Sequence, residues 1–378
     1  MTMTGWTDKL NHLPTPCYVI DEEKLINNLE RLNTIKKATN CTILLALKGY
    51  STYSTFPLLS PVIDGVTASS IYEARLGYEE FSGHVHGHSI AMSQSEYKQF
   101  ESLCSHISFN SISQYQQFKS LQTKPLSLGL RINPNISTVK TDLYNPCSKY
   151  SRLGIPIEQL DPVLFNEIDG LHFHALCEQN TNDLEKVLQK IKHTYGNKLK
   201  NLQWMNWGGG QRLTHNTYNT DHLIELINEW QSNYNVKIIL EPGDAIVYDC
   251  GYYVSKVLDI INNQKQIAIC DISATCHMPD ILEYPYRPQI LNTDPTYAYS
   301  YILSGNTCLA GDIIGDYSFK TPLSINDIIV FSDMAQYTLV KTTNFNGIKQ
   351  PSIAIIDKEK KINLVKQSHY FNFKERLS

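Results

Sequence analysis

A chain of 378 residues, 42% apolar and 19% charged, can bury a large core, which excludes a disordered protein. Its formal charge of −4 offers no basic face for nucleic acid or an anionic membrane, and no run approaches the ~20 apolar residues of a bilayer span. The polar start, Met1 to Lys9, lacks a signal-peptide core, and nine scattered cysteines without a Cys-x-x-Cys fit neither a disulfide framework nor a zinc ribbon, so a soluble cytoplasmic enzyme is expected.

In chain order, Pro16–Asp21 is a short β run, and Asp21 then caps a helix whose Leu25, Leu29 and Leu32 share one face. Apolar β-rich runs follow at Ile43–Leu47, Asp64–Ala68, Val85–Ile90, Ile107–Asn110, Leu128–Ile132, Leu171–Ala175, Gln203–Trp207 and Lys237–Leu240. Between them lie helix-patterned stretches such as Ile71–Phe81, Ser95–Leu103, Thr181–Tyr195 and Asp221–Gln231. Strands alternating with helices imply right-handed βαβ units, and eight units imply an α/β fold closed as a (β/α)8 TIM barrel over residues 22–250. An open doubly wound sheet is the competing arrangement. From about residue 250 the pattern turns to β runs (Tyr252–Ile261, Gln266–Ile272, Tyr301–Leu303, Ile328–Phe331) punctuated by Pro and Gly. This predicts a C-terminal all-β domain of residues 251–378, which the strand within residues 1–21 could join.

Active sites of such barrels lie at the C-terminal strand ends, here Lys48, Ser69, Ser70, His88, Arg131, His174, Gly208 to Gly210 and Glu241. A lysine at a dry barrel mouth has its amine pKa lowered and favours Schiff-base chemistry; a strand-end lysine reaching into water is the bland alternative for Lys48. Three consecutive glycines after the seventh strand let backbone N–H groups approach a phosphate, or form a plain turn. Glu241 could hold a protonated ring nitrogen, or pair with Arg131. His172 and His174 alternate on one strand, as do His84, His86 and His88. Paired histidines also serve zinc hydrolases, but such a site would want an aspartate near the eighth strand and leaves the glycines unexplained, so no metal is expected. A Schiff-base lysine, a phosphate cradle, a stacking His174 and a ring-nitrogen carboxylate together specify pyridoxal 5′-phosphate. The acidic partner keeps the ring a strong electron sink, which favours decarboxylation over racemisation.

Further segments carry a family likeness: Thr15-Pro16, Tyr18-Val19-Ile20-Asp21, Ala46-Leu47-Lys48, Ser69-Ser70-Ile71-Tyr72-Glu73, Gly170-Leu171-His172-Phe173-His174, Glu241-Pro242-Gly243, His277-Met278-Pro279-Asp280, Tyr286-Arg287-Pro288, Gly305-Asn306-Thr307-Cys308 and Phe345-Asn346-Gly347. Over nearly its whole length the chain resembles the barrel-type pyridoxal-phosphate decarboxylases, the group of alanine racemase, ornithine decarboxylase and diaminopimelate decarboxylase. The His-Met-Pro-Asp, Tyr-Arg-Pro and Cys308…Asp312 segments resemble its polyamine branch, which acts on carboxynorspermidine and carboxyspermidine. The resemblance implies Lys48 as the Schiff-base lysine, His174 against the cofactor ring and Glu241 at its nitrogen. It implies Gly209, Gly210 and the Tyr337 hydroxyl at the phosphate, with Ser69 and Arg131 as further cofactor contacts. It implies that Cys308 crosses a homodimer interface to assist protonation, with Asp312 also entering the partner's site. For a polycationic substrate, Asp271, Asp280, Glu283, Asp312 and Glu241 are candidate partners of its amines, and Arg287 of a carboxylate. Leu309 stands where diaminopimelate decarboxylases carry an acid, which counts against that substrate and ornithine. Gly49-Tyr50, Gln211-Arg212 and Asp244 depart from the expected pattern beside the chemistry.

Overall fold

A computed structural model describes residues 7–284 and 286–378. The chain divides into two compact units, Asn27–Ile246 and Met1–Ile26 with Val247–Ser378. Strand β1 (Cys17–Asp21) leads into α1 (Glu22–Thr39), and Asp21 Oδ1 accepts the Glu23 and Lys24 N–H groups as the cap expected from sequence.

The first unit is a closed parallel barrel. Its strands are β2 (Thr42–Ala46), β3 (Gly65–Ala68), β4 (His84–Gly87), β5 (His106–Phe109), β6 (Ser127–Asn133), a two-residue β7 (Ile155–Pro156), β8 (Gly170–Phe173), β9 (Trp204–Asn206) and β10 (Lys237–Leu240). The order β5-β4-β3-β2-β10-β9-β8-β6 is closed by β5 pairing with β6, while β7 pairs beside β6. The crossovers include α2 (Phe56–Leu59), α3 (Ile71–Glu80), α4 (Gln94–Leu103), α5 (Ile112–Lys119), α6 (Thr181–Tyr195) and α7 (Thr220–Tyr234). Five of them start on a side chain, Ser70, Ser93, Ser111, Asn180 or Asn219, that accepts a first-turn N–H, so the short polar residues between apolar runs set the helix starts. Not every strand is followed by a regular helix. The β6–β8 connection holds only β7 and short 3-10 turns, because Pro134, Pro146, Pro156 and Pro162 remove donors and interrupt helical pairing.

The barrel interior is aromatic and nitrogen-rich rather than aliphatic throughout. His86 stacks on His106 (centroids 5.7 Å) and meets Trp204 edge-on at 5.1 Å, while His172 meets His86 at 5.9 Å and His88 at 5.1 Å. His86 and His88 are buried, packed histidines, while His84, in phase with them at the first position of β4, is exposed.

The second unit is mostly sheet: β11 (Gly251–Asn263), β12 (Lys265–Cys270), β13 (Tyr299–Ser304), β14 (Ile313–Phe319), β15 (Ile328–Ser332), β16 (Ser352–Ile356) and β17 (Ile362–Lys366). Strand β1 lies between β11, antiparallel, and β16, parallel, so the two ends of the chain build one sheet. Its core includes Tyr18, stacked on Tyr253 at 4.3 Å, with the Tyr18 hydroxyl donating to the His277 carbonyl.

Burial, then His84, pushes His106 down to about 4 in the folded protein. In the unfolded chain it titrates near ~6.5, so below that pH the unfolded state binds the extra proton and stability falls as pH drops. A His106→Gln variant is expected to lose less stability than the parent between about pH 7 and pH 5, by up to ~2 kcal/mol in denaturant melts. Equal losses in both proteins would contradict this.

Candidate active site

Lys48 follows β2 on a tight turn in which the Ala46 carbonyl accepts the Gly49 N–H at 2.9 Å and the Tyr50 N–H at 3.3 Å. The turn needs a small residue at position 49, since a Cβ there would stand 3.0 Å from Gly243 Cα. Gly49, one of the departures noted in the sequence, therefore belongs to the packing of the β2 and β10 ends. Lys48 is exposed as a residue, while desolvation of its amine is the chief cause that lowers its pKa. Glu241 opposes that shift, Arg131 adds to it, and Glu73 and Asp244 oppose it more weakly.

Glu241 directly follows β10 and is buried. Burial raises its pKa, while hydrogen bonds from Asn206 and Thr67 and the charges of Lys48 and Arg131 pull it back. Asn206 Nδ2 donates to Glu241 Oε1 at 2.6 Å, and His172 Nε2 lies 3.6 Å from Oε2. Arg131 does not pair with Glu241: its Nη1 donates to His88 Nε2 at 2.8 Å, and His88 Nδ1 donates in turn to the Ser108 carbonyl. Burial and Arg131 push His88 down to about 3, so it stays a neutral acceptor, and Arg131, lowered to about 10 by burial, stays a cation.

His174 Nδ1 accepts the Gly209 N–H at 3.1 Å, which places the ring proton on Nε2 and makes the imidazole neutral. Burial first, then Lys48 and Arg131, hold its pKa well below the ordinary value. The glycine triplet is dictated by close backbone packing. Gly208 (φ +67°) and Gly210 (φ +82°) lie in the left-handed region, and a Cβ on Gly209 would sit 2.2 Å from the Glu241 carbonyl oxygen. Gly208 donates to Asn206 Oδ1 and Gly209 to His174, so of the two glycines expected at a phosphate only the Gly210 N–H has no protein partner among the described residues. Ser69 is exposed at the start of α3, its N–H donating to Glu73 Oε2.

The remaining expected residues belong to the sheet unit. Tyr337 is half-buried with φ +46°. Cys308 is a free, exposed thiol whose backbone N–H donates to Asn346 Oδ1 at 2.8 Å. Asp312, expected to reach out, is buried and committed to its own unit: its carboxylate accepts from Ser273 Oγ, the Ala274 and Thr275 N–H groups, and the N–H and hydroxyl of Thr307. Asp271 accepts from Ser255 and Lys256, and Asp280 and Glu283 both pair with Lys341 at 2.6 Å. The Arg287 guanidinium lies 4.6 Å over the Tyr317 ring. Each of these four carboxylates has at least one partner within the chain. Sequence reasoning passed over Asn206 and Thr67; the signal for Asn206 was a polar residue inside the apolar run Gln203–Trp207, two positions before Gly208.

The family of pyridoxal-dependent decarboxylases, C-terminal sheet domain, matches residues 17–335. The chain is 38% identical to the carboxynorspermidine/carboxyspermidine decarboxylase of Campylobacter jejuni, covering 96% of this chain and 98% of that one. It is 39% identical to a carboxyaminopropylagmatine decarboxylase of Synechocystis, covering 98% and 97%. The crystal structure of C. jejuni carboxynorspermidine decarboxylase with norspermidine superposes with a TM-score of 0.89 at 36% identity, over 96% of this chain and 100% of that one.

A Cβ on Gly210 would lie 2.0 Å from the Leu176 carbonyl oxygen at a positive φ. Gly210→Ala is expected to destabilise the barrel by about 1–3 kcal/mol, read as a lowered denaturation midpoint. An unchanged midpoint would show that the turn is not held by backbone contact.

Proposed function

The chain belongs to the pyridoxal-dependent decarboxylases with a C-terminal sheet domain, and we propose that it removes the carboxylate of carboxynorspermidine or carboxyspermidine with pyridoxal 5′-phosphate as cofactor. The supporting observation is a lowered-pKa Lys48 and a held Glu241 in one barrel mouth, in a chain that matches carboxynorspermidine/carboxyspermidine decarboxylases over 96–97% of its length.

The residues fit that cofactor. Lys48 is an amine that desolvation biases to its neutral, nucleophilic form, as needed to hold an aldehyde. Gly208 to Gly210 form a turn with no side chain to obstruct an anion, and the Gly210 N–H points to a phosphate role. The neutral His174 ring offers a flat face without a competing charge, and the buried Glu241 is an acceptor for a ring N–H. When bound, the cofactor supplies an electron sink for the carbanion left by loss of carbon dioxide.

Each residue then has a task of its own. Lys48 would hold the cofactor and supply an amine able to move a proton. Glu241 keeps a proton at the ring nitrogen. Arg131, kept cationic and oriented by His88, balances the local negative charge. Cys308, on an exposed loop, acts from a second copy of the chain to return a proton to the substrate carbon, which requires a homodimer. Asp312 serves that step indirectly: its five hydrogen bonds tie the Cys308 loop to the turn Ala274–His277. Asp280, Glu283 and Asp271 remain the candidates for the substrate's ammonium groups, and Lys341 must yield its two carboxylates for Asp280 and Glu283 to serve. Arg287 is the candidate for a substrate carboxylate.

Purified protein loaded with pyridoxal 5′-phosphate is expected to be yellow and to release carbon dioxide from both substrates. Lys48→Ala should be colourless and inactive, and full activity in that variant would defeat the assignment. Cys308→Ala should keep the colour and lose turnover by about tenfold to a thousandfold, as for a lost proton donor. Gel filtration with light scattering should give a dimer. Steady-state comparison ranks carboxynorspermidine, carboxyspermidine and carboxyaminopropylagmatine. The first two differ by one methylene, worth ~1–3 kcal/mol in a pocket. A kcat/KM highest on carboxyaminopropylagmatine would favour the Synechocystis relative's reaction instead.

A further inference from the structure

We propose that Asn206 is a positioning residue that sets the protonation of the cofactor's ring nitrogen by holding Glu241 from behind. The proposal rests on the reading of Glu241 as the ring-nitrogen partner.

Asn206 is fully buried on β9. Its amide is not free to flip. The Gly208 N–H, a donor, lies 2.9 Å from one side-chain atom, so that atom must be the oxygen Oδ1. The amide nitrogen is therefore the atom 2.6 Å from Glu241 Oε1, and it can only donate. One side chain thus ties the first glycine of the triplet to the carboxylate at the end of β10. Its other N–H points toward His86 Nδ1 at 3.4 Å, and His86 Nε2 is engaged by Ser108 Oγ at 2.7 Å.

The consequence is chemical as well as geometric. A donated hydrogen bond favours the ionised carboxylate, and in a buried site such a bond to a charged group is among the stronger ones. An ionised Glu241 leaves the shared proton on the ring nitrogen. Without Asn206 the carboxylate becomes more basic, and the proton moves from the ring to Glu241. The ring then withdraws electrons less well, and decarboxylation slows. The second donor, Thr67, is expected to contribute in the same sense. The other ionisable groups acting around Glu241 are Lys48 and Arg131, with His172 at 3.6 Å and His86 behind Asn206 held neutral by burial.

The test is NMR of the ring nitrogen in isotope-labelled pyridoxal 5′-phosphate bound to the parent, Asn206→Ala, Asn206→Asp and Glu241→Gln proteins. Asn206→Ala should move the resonance toward unprotonated pyridine, weaken cofactor binding about tenfold, and lower kcat about tenfold with less than twofold change in KM. Asn206→Asp keeps the acceptor for Gly208. Its carboxyl can share one proton with Glu241, so it should restore the parent resonance at low pH and lose it as pH rises. A purely structural asparagine would lower thermal stability and leave the resonance of the bound cofactor unchanged at every pH. That result in either folded variant overturns the proposal; if Asn206→Ala fails to fold, Asn206→Asp decides. If Glu241→Gln also leaves the resonance unchanged, the reading of Glu241 itself fails. If it shifts while the Asn206 variants do not, only the role of Asn206 fails.

Discussion

Glu241 is a carboxylate buried at the end of a parallel barrel strand, and burial alone would neutralise it. Much of the surrounding polar architecture counters that tendency. Asn206 and Thr67 donate to it, and Lys48 and Arg131 supply positive charge. Desolvation also lowers the pKa of the Lys48 amine, so the same physical effect favours the neutral amine of Lys48 and the protonated form of Glu241. The histidines complete the arrangement by staying neutral. His88 fixes Arg131 without adding charge, and His174 presents an uncharged ring beside Lys48. A protonated ring at either place would oppose both cations.

The glycine triplet joins the chemistry to the packing. Gly208 is held by Asn206, Gly209 by His174, and Gly210 is driven against the Leu176 carbonyl. A turn built for close backbone approach is thereby also a turn with an uncovered N–H. In the sheet unit Asp312 has the corresponding organising part, since it orders the loop that carries Cys308.

Much of this was legible in the sequence. The eight apolar runs fall on the eight barrel strands because a parallel strand buried on both faces must be a short apolar run. Lys48, His174, the glycines and Glu241 were found because strand ends of such a barrel are a small, countable set. The β6–β8 connection was not legible as a departure, since its prolines rule out helix without specifying the turns that replace it. Asn206 was hidden because a single polar residue in a β run reads as an edge or a flaw until its neighbours on β10 are known. The partners of Asp312, Asp280 and Glu283 within the chain, Thr307, Ser273 and Lys341, were not legible because they are set by tertiary contacts and not by spacing.

The central claim, that the desolvated Lys48 amine holds the cofactor at the barrel mouth, is tested most directly by covalent trapping. The protein loaded with pyridoxal 5′-phosphate is reduced with borohydride, digested, and mapped by mass spectrometry. A single cofactor-derived label on Lys48 is the predicted result. A label on another lysine, or one spread over surface lysines, would contradict it.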